Sequence, residues 1–310
     1  MVGRYNLTNL KKVIREPEYV LWDIQRSLFD LRHDDGIDVM AEDWDNLLLL
    51  DACRYDYFKD QNQIDGTLRP VISRGRRSWE FMQGNFVGKT FHDTVYVTAN
   101  PHTGKLADDV FHAVEPLYLE RWDDEHETVL PGDVVDATLE ARTEYPDKRL
   151  VVHFMQPHRP YLGPTGEKLQ EEYDVRGFNR YVAEKERPSD HRSFSKMVES
   201  GTIPVPETRK AYRETLDILL SHVEELVDSI DGKTTISADH GEMLGERLTP
   251  LTKPKHGHSF EYLKNEILYE VPWLEIESDE RRAITEDEPI QFQRGSDEEI
   301  DERLRALGYK

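Results

Sequence analysis

A doubly wound α/β fold, with a central, mostly parallel sheet and helices on both faces, is what this 310-residue sequence predicts, and three features lead there. The run NLLLLD (46–51) is apolar throughout and ends in a carboxylate, as a central parallel strand does. Short runs of strand character alternate with helical patterns along the chain. The clearest helix, RKAYRETLDILLSHVEELVDSIDG (209–232), leads straight into the strand KTTISAD (233–239).

In chain order, PEYVLWDIQRSLFDLR (17–32) places Val20, Leu21, Ile24, Leu28 and Leu31 on one helical face, with Pro17 suited to the first turn. This segment is expected to dock ahead of the main sheet. After NLLLLD, further strands are expected at RPVIS (69–73), TVYVTAN (94–100), RLVVHFMQ (149–156), KTTISAD and YEVPWLEI (269–276). In the long helix, Leu216, Leu219, Leu220, Val223, Leu226, Val227 and Ile230 keep helical spacing until Gly232 ends it. The polar stretch 162–208 has little periodicity and reads as an insertion or lid. SDEEIDERLRALGYK (296–310) reads as an acidic terminal helix. With no internal repeat or low-complexity tract, residues 1–310 are taken as one domain.

The formal charge is −22, from 62 acidic and 40 basic residues, with 37% hydrophobic residues and a mean hydropathy of −0.73. Aromatic residues at 10% and the patterned apolar segments point to a folded chain with an acidic surface. Arg outnumbers Lys, and the whole reads as a halophile's cytoplasmic protein whose acidic shell is hydrated and screened. In dilute salt that field repels nucleic acid and anionic membranes, so an anionic substrate must be drawn by a local positive site or a metal. Cys53 is the only cysteine, which excludes an internal disulfide and a Cys-based zinc cage; it is expected to be a small buried residue. The first 19 residues contain no apolar signal core, and no run approaches the about 18 apolar residues of a membrane helix. A soluble, unexported protein without a membrane span is expected.

The stretch TTISADHGEMLGE (234–246) delivers an Asp and a His side by side to the carboxyl end of a strand, where open α/β sheets bind their ligands. A helix-capping Asp beside a solvent-facing His is the competing reading. Other strand ends carry Asp51 in LLLLDACRYDYF, Ser78 in SRGRRSWEF, and His153 and His158 in HFMQPHRPY; KHGHS adds His256 and His258. Each alone is weak, because a strand-end Asp is often a helix cap and a lone His is often structural.

Their joint order resembles the alkaline phosphatase and sulfatase superfamily over about residues 44–275. The resemblance implies an alkaline phosphatase-like α/β fold and a first strand ending in a metal-binding Asp, matched by Asp51. It also implies a nucleophile at a helix start shortly afterwards, and two further ligands from a late DHGE, matched by Asp239 and His240. The long helix, YEVPW and the PHRPY turn also look like family landmarks. Two departures narrow the expectation. Neither CRYDY nor SWEFM fits the C/S-x-P-x-R pattern that is oxidised to formylglycine in sulfatases. The D-x-x-x-H pattern of the two-metal phosphatases is absent near PHRPYLG, and Asp108 and His112, which have that spacing, lie too early. The pattern is closer to the one-metal phosphotransferases.

On this resemblance Asp51, Asp239 and His240 would hold a divalent ion (Zn, Mn, Mg or Ca) with ligand distances of about 2.0 to 2.2 Å, leaving a position for the Ser78 hydroxyl. Coordination would lower the pKa of that hydroxyl, and a helix N-terminus would favour phosphoryl oxygens. A plain N-cap is the other reading of Ser78, and Ser73 is the fallback nucleophile. His158 and His258 are expected to act on the leaving and nonbridging oxygens, with His153, His256, Arg77 and Arg159 as substrate contacts. Arg76 belongs with those arginines, for which solvated surface positions are the alternative. His92, His102, His126, His191 and His222 are taken as structural. The expected activity is a metal-dependent hydrolase or transferase of phosphate or sulfate esters, phosphate favoured. Its expected partner is an anionic ester, a glycan or lipid-linked intermediate included. The rivals are a sulfatase-like hydrolase without formylglycine and a non-catalytic binding protein that keeps the fold.

Overall fold

The apolar run at 46–51 has no exposed residue, although successive side chains of a strand point to opposite faces. That requires cover on both faces, and helices supply it. The computed structural model describes residues 18–173, 193–248, 252–260, 263–290 and 296–306. In chain order the elements are α1 (Glu18–Arg32), β1 (Asn46–Asp51), α2 (Tyr55–Gln61), β2 (Thr67–Ile72), α3 (Ser78–Asn85), β3 (Phe91–Thr98), β4 (Phe111–Pro116), α4 (Leu117–Glu120), α5 (Pro131–Glu144) and β5 (Arg149–Pro157). There follow α6 (Pro164–Tyr173), α7 (Phe194–Ser200), α8 (Val205–Ser229), β6 (Thr234–Ala238), β7 (Met243–Glu246), β8 (Lys255–Gly257), α9 (Glu266–Tyr269), β9 (Glu270–Ile276) and α10 (Asp297–Ala306).

Seven strands form the main sheet in the order β2-β9-β6-β1-β5-β3-β4. β1 lies parallel between β5 and β6, with Leu48 opposite Val152 on one side and Ile236 on the other. β9 is the reversed strand, antiparallel to both β6 and β2. The fold is therefore mixed α/β with a mostly parallel sheet. The carboxyl ends of β1, β5 and β6 meet at one edge, which brings Asp51, the PHRP turn and Asp239 together. α8 leads into β6 as expected, burying Leu216, Leu219, Leu220, Val223 and Leu226.

Several expectations need correction. The stripe of α1 meant to dock faces solvent at Ile24, Leu28 and Leu31, and Trp22 and Phe29 on the other side are buried instead, against Met243, Leu263, Leu268 and Tyr269. Trp22 and Phe29 meet partner rings there, Phe29 on Tyr269 at 5.1 Å and Trp22 on Phe260 at 6.2 Å. The edge strand β4 and the hairpin β7-β8 had no clear sequence signal, being short. His112 lies on β4, with Nδ1 3.3 Å from the Asp287 carbonyl, so the early Asp108/His112 pair does not make a second metal site. Within the expected lid, α6 packs on α8 and α7 on β8; residues 174–192, including His191, lie outside the described residues, as do Pro17 and 307–310. The acidic helix α10 buries Ile300 and Leu304. The Ile300 side chain packs close over Gly104 in the turn at Pro101–Lys105.

Candidate metal and phosphoryl-transfer site

Asp51 ends β1 and is fully buried. Its Oδ2 accepts hydrogen bonds from Ser78 Oγ at 3.2 Å and Asn100 Nδ2 at 2.9 Å. The turn after it is strained: Ala52 sits in the left-handed region at φ 61°, where non-glycine residues are uncommon. Tyr212 on α8 holds this turn, donating from its hydroxyl to the Ala52 carbonyl at 2.8 Å and accepting from the Arg54 amide at 3.1 Å. The strained turn in return aims the Ala52 amide at Asp239 Oδ1, 3.1 Å away. Arg54 then crosses to the DHGE loop, donating to Glu246 Oε1 at 2.6 Å and to the Glu242 carbonyl at 3.3 Å.

Asp239 and His240 follow β6 and are fully buried, and no helix begins there, so the capping reading with a solvent-facing His falls. Asp239 Oδ1 is used by two backbone amides, those of Ala52 and His240, the latter at 2.8 Å. His240 Nδ1 lies 2.9 Å from the Gly241 carbonyl, an oxygen that can only accept, so the proton is assigned to Nδ1 and the lone pair to Nε2. That Nε2 stands 3.5 Å from both Asp51 Oδ1 and Asp239 Oδ2. His153, inside β5, brings its Nε2 to 3.5 Å from Asp239 Oδ2, while its Nδ1 is 2.7 Å from the Tyr96 hydroxyl. Gly241 is required by crowding, since a Cβ there would lie 2.1 Å from the Ile267 carbonyl.

Two carboxylates and an imidazole lone pair converging in a buried space repel one another unless a proton or cation lies between them. Asp239 Oδ2, His153 Nε2 and His240 Nε2 are buried atoms with no hydrogen-bond partner among the described residues. Burial alone would raise the Asp239 pKa, but His240, then His153 and the Ser78 hydroxyl outweigh it and hold the carboxyl well below its usual range. Three separations among these donor atoms are 3.5 Å, close to the about 3.4 Å between two ligands that each stand about 2.1 Å from one tetrahedral ion. Asp51, His153 and Asp239 form one group of atoms able to share an ion, and a divalent metal fits this set.

Ser78 is fully buried and opens α3. It is not the helix cap: the cap position is Arg77, whose side chain makes no capping bond, and the Ser78 hydroxyl turns to Asp51 instead. Ser73, the fallback nucleophile, donates from Oγ to the Asp239 main-chain carbonyl and accepts from the Gly75 amide at 3.2 Å. It therefore props the metal-ligand loop rather than facing the converging ligands.

A second buried group adjoins the first. His258 Nδ1 is 3.3 Å from Glu242 Oε1, and His158 Nε2 is 4.0 Å from the same oxygen. The His258 ring stands 4.6 Å from that of His240 and 5.2 Å from that of His158. Burial pushes the His158 pKa down to about 3 despite Glu242. Burial holds the His258 pKa well below its ordinary value, and the positive charges of Arg159 and Arg77 add to that effect. His256, expected as a substrate contact, has its Nε2 3.3 Å from the Tyr161 hydroxyl after β5 and its Nδ1 3.1 Å from the Ser195 hydroxyl on α7. Arg76 and Arg77 pair with Glu80, and the Arg159 guanidinium lies 5.3 Å over the Phe194 ring. His92, His102, His126 and His222 make other contacts, with His102 stacked on Trp79 at 6.3 Å. Cys53 is buried, and burial raises its thiol pKa well above the ordinary value.

No protein-family model matches the chain, and none of the curated proteins matches it. Among solved structures, the chain is similar to the integral membrane lipooligosaccharide phosphoethanolamine transferase A of Neisseria meningitidis, at 12% identity and TM-score 0.45, over 76% of this chain and 47% of that one. The C-terminal periplasmic domain of EcEptC from Escherichia coli, in complex with zinc, matches at 12% identity and TM-score 0.46, over 79% and 76%. A protein in the alkaline phosphatase superfamily from Vibrio parahaemolyticus matches at 13% identity and TM-score 0.44, over 85% and 65%. The present chain thus spans about half the length of the first of these. The last is described as belonging to the superfamily that the DHGE pattern resembles.

Glu242, Asn100, Tyr96 and Tyr212 were missed by sequence reading. Glu242 is the fourth letter of DHGE, and Asn100 closes the TVYVTAN run, so both stood at strand ends already under scrutiny. Tyr212 and Tyr96 gave no local signal, since each acts on a residue dozens of positions away.

Proposed function

We propose that the chain is a metal-dependent hydrolase or transferase acting on phosphate esters, with Ser78 as nucleophile. The observation that carries this reading is the convergence of Asp51, Asp239 and the His240 lone pair at 3.5 Å in a buried space, with the Ser78 hydroxyl hydrogen-bonded to Asp51. Asp51, Asp239 and His240 would hold the ion, with His153 beside them. Such an ion lowers the pKa of a neighbouring hydroxyl and stabilises charge on phosphoryl oxygens. Asn100 keeps Asp51 turned, with its second oxygen shared by Ser78, and so sets the direction of the attacking oxygen. As the Ser78 Oγ–P bond forms, the ester P–O bond breaks; the Ser78 hydroxyl proton, directed at Asp51 Oδ2, leaves along that hydrogen bond, and the leaving oxygen takes a proton from solvent. His158 and His258, buried beside Glu242, would hydrogen-bond the leaving and nonbridging oxygens. Arg77 and Arg159 supply positive charge in an otherwise acidic protein. A salt-adapted, cytoplasmic setting is part of the same proposal.

Ser78→Ala tests it. Activity on an aryl phosphate should fall by several orders of magnitude while metal content is kept. Acid quenching of the wild type should leave a phosphorylated peptide containing Ser78. Full activity in the variant would end the assignment, and faster turnover of the matched aryl sulfate would move the reading to sulfate esters.

A further inference from the structure

We propose that Arg159 binds a second oxyanion, carried on the alcohol part of the ester, so that the substrates are phosphate esters with a further phosphate or carboxylate group. The inference rests on the reading of Ser78 given above and adds the character of the alcohol. Arg159 is half-buried in the turn after β5, and its Nε is a buried atom with no hydrogen-bond partner among the described residues. No carboxylate among those residues stands within ion-pair distance of its guanidinium, which lies over the Phe194 ring. That runs against the composition, since acidic residues outnumber basic ones 62 to 40. The buried Arg54 meets Asp56 and Glu246 at 2.6 Å each, and the buried Arg76 meets Glu80 at 3.0 Å. A cation drawn out of water without a partner costs stability, and one kept beside a reaction centre marks the place of an anion that arrives with the substrate.

Position decides which anion. Arg159 adjoins His158, whose Nδ1 lies 2.7 Å from the Arg159 carbonyl. Burial is the main reason that the pKa values of His158 and His258 are low, and the charge of Arg159 adds to it at both, so the guanidinium borders these two imidazoles. On the proposed reaction the phosphoryl group in transfer has the ion and the two imidazoles to meet its charge, which leaves Arg159 for a group beyond the leaving oxygen. Arg77 is the poorer candidate, because Glu80 already meets it at 2.9 Å. The Phe194 ring under the guanidinium is itself packed on Tyr161 at 5.7 Å and on His256 at 5.1 Å, so the cation rests on a firm base. A guanidinium supported in this way offers a planar fork of N–H donors, which suits two oxygens of a carboxylate or phosphate.

The test compares aryl esters of one size and different charge, 3- and 4-carboxyphenyl phosphate against the matched carbamoylphenyl phosphates, on the metal-loaded full chain at the lowest salt that preserves its circular dichroism spectrum. For the better of the two isomers, kcat/KM on the carboxylate ester is expected to exceed that on the amide by roughly tenfold or more. Arg159→Gln should bring that ratio to about one, whatever it does to turnover of the amide, and Arg159→Glu should invert it. A guanidinium that served only the transferred phosphoryl group would slow both esters alike and leave the ratio as it was. Equal wild-type rates on the charged and uncharged esters, or a preference that survives in Arg159→Gln, would overturn the inference and leave the reaction at Ser78 standing. Turnover of none of the four esters by the wild type would count against that reaction, and the inference would fall with it.

Discussion

The Nε2 atom of His240 stands 3.5 Å from Oδ1 of Asp51, with both side chains fully buried. A neutral imidazole lone pair and a carboxylate oxygen face each other across that gap, and neither can donate to the other in the tautomer that the Gly241 carbonyl enforces. On the proposed function, a shared divalent ion would remove the conflict. Asp239→Asn with His240→Ala should therefore reduce metal affinity by about 100-fold or more. The Asn Oδ1 can still accept from the Ala52 and His240 amides, so the far-UV spectrum should stay native. Metal analysis and circular dichroism on one sample check both halves, and full metal content in the double variant would remove these residues from the ligand set.

Ser73→Ala separates support from nucleophile. Its hydroxyl serves the Asp239 carbonyl and the Gly75 amide in a buried place, so its removal should cost about 1 to 3 kcal/mol of stability. Denaturant titration would read that loss. Quenched enzyme should still carry its label on Ser78, and a label lost with Ser73 would reverse the two roles.

Acid stability should depend on His256, whose pKa burial pushes down to about 3. The unfolded chain takes up a proton near the ordinary histidine value of about 6.5, and the folded one does not until far lower pH. The stability this group contributes is thus complete above about pH 6.5 and drains away as pH falls toward 3, by about 1.4 kcal/mol per pH unit. His256→Gln, which can still meet Tyr161 and Ser195, should flatten that slope by one proton in denaturation curves measured between pH 4 and 7. An unchanged slope would mean His256 is protonated in the folded protein.

Salt should stabilise the fold, because the 22 net negative charges repel one another until counterions screen them over a Debye length of about 3 Å at 1 M. Thermal midpoints are expected to climb from dilute buffer to molar KCl. A flat midpoint would count against a salt-adapted protein.

By itself the sequence determined the central strands β1, β5 and β6. NLLLLD, RLVVHFMQ and KTTISAD are apolar runs whose period and length are local properties, and the polar residue that closes a parallel strand must stand at the sheet's carboxyl edge. Asp51, Asp239 and His240 were legible for that reason, and so was the long helix α8. Tertiary structure decided what each of those residues faces. Asn100 reaches Asp51 across 49 positions and Tyr212 reaches Ala52 across 160, and no periodicity within a short window can report such pairs. It also set Ser78 and Ser73, two buried serines five residues apart, in different surroundings by turning one hydroxyl to Asp51 and the other to a carbonyl. The same holds for α1, which carries apolar residues on two sides: the helical period located both, and only the ring-shaped space between Met243, Leu263, Leu268 and Tyr269 settled that Trp22 and Phe29 go inside. The physical reason is common to all of these, since burial and hydrogen bonding are rewarded by the partner that the fold supplies and not by the neighbour in the chain.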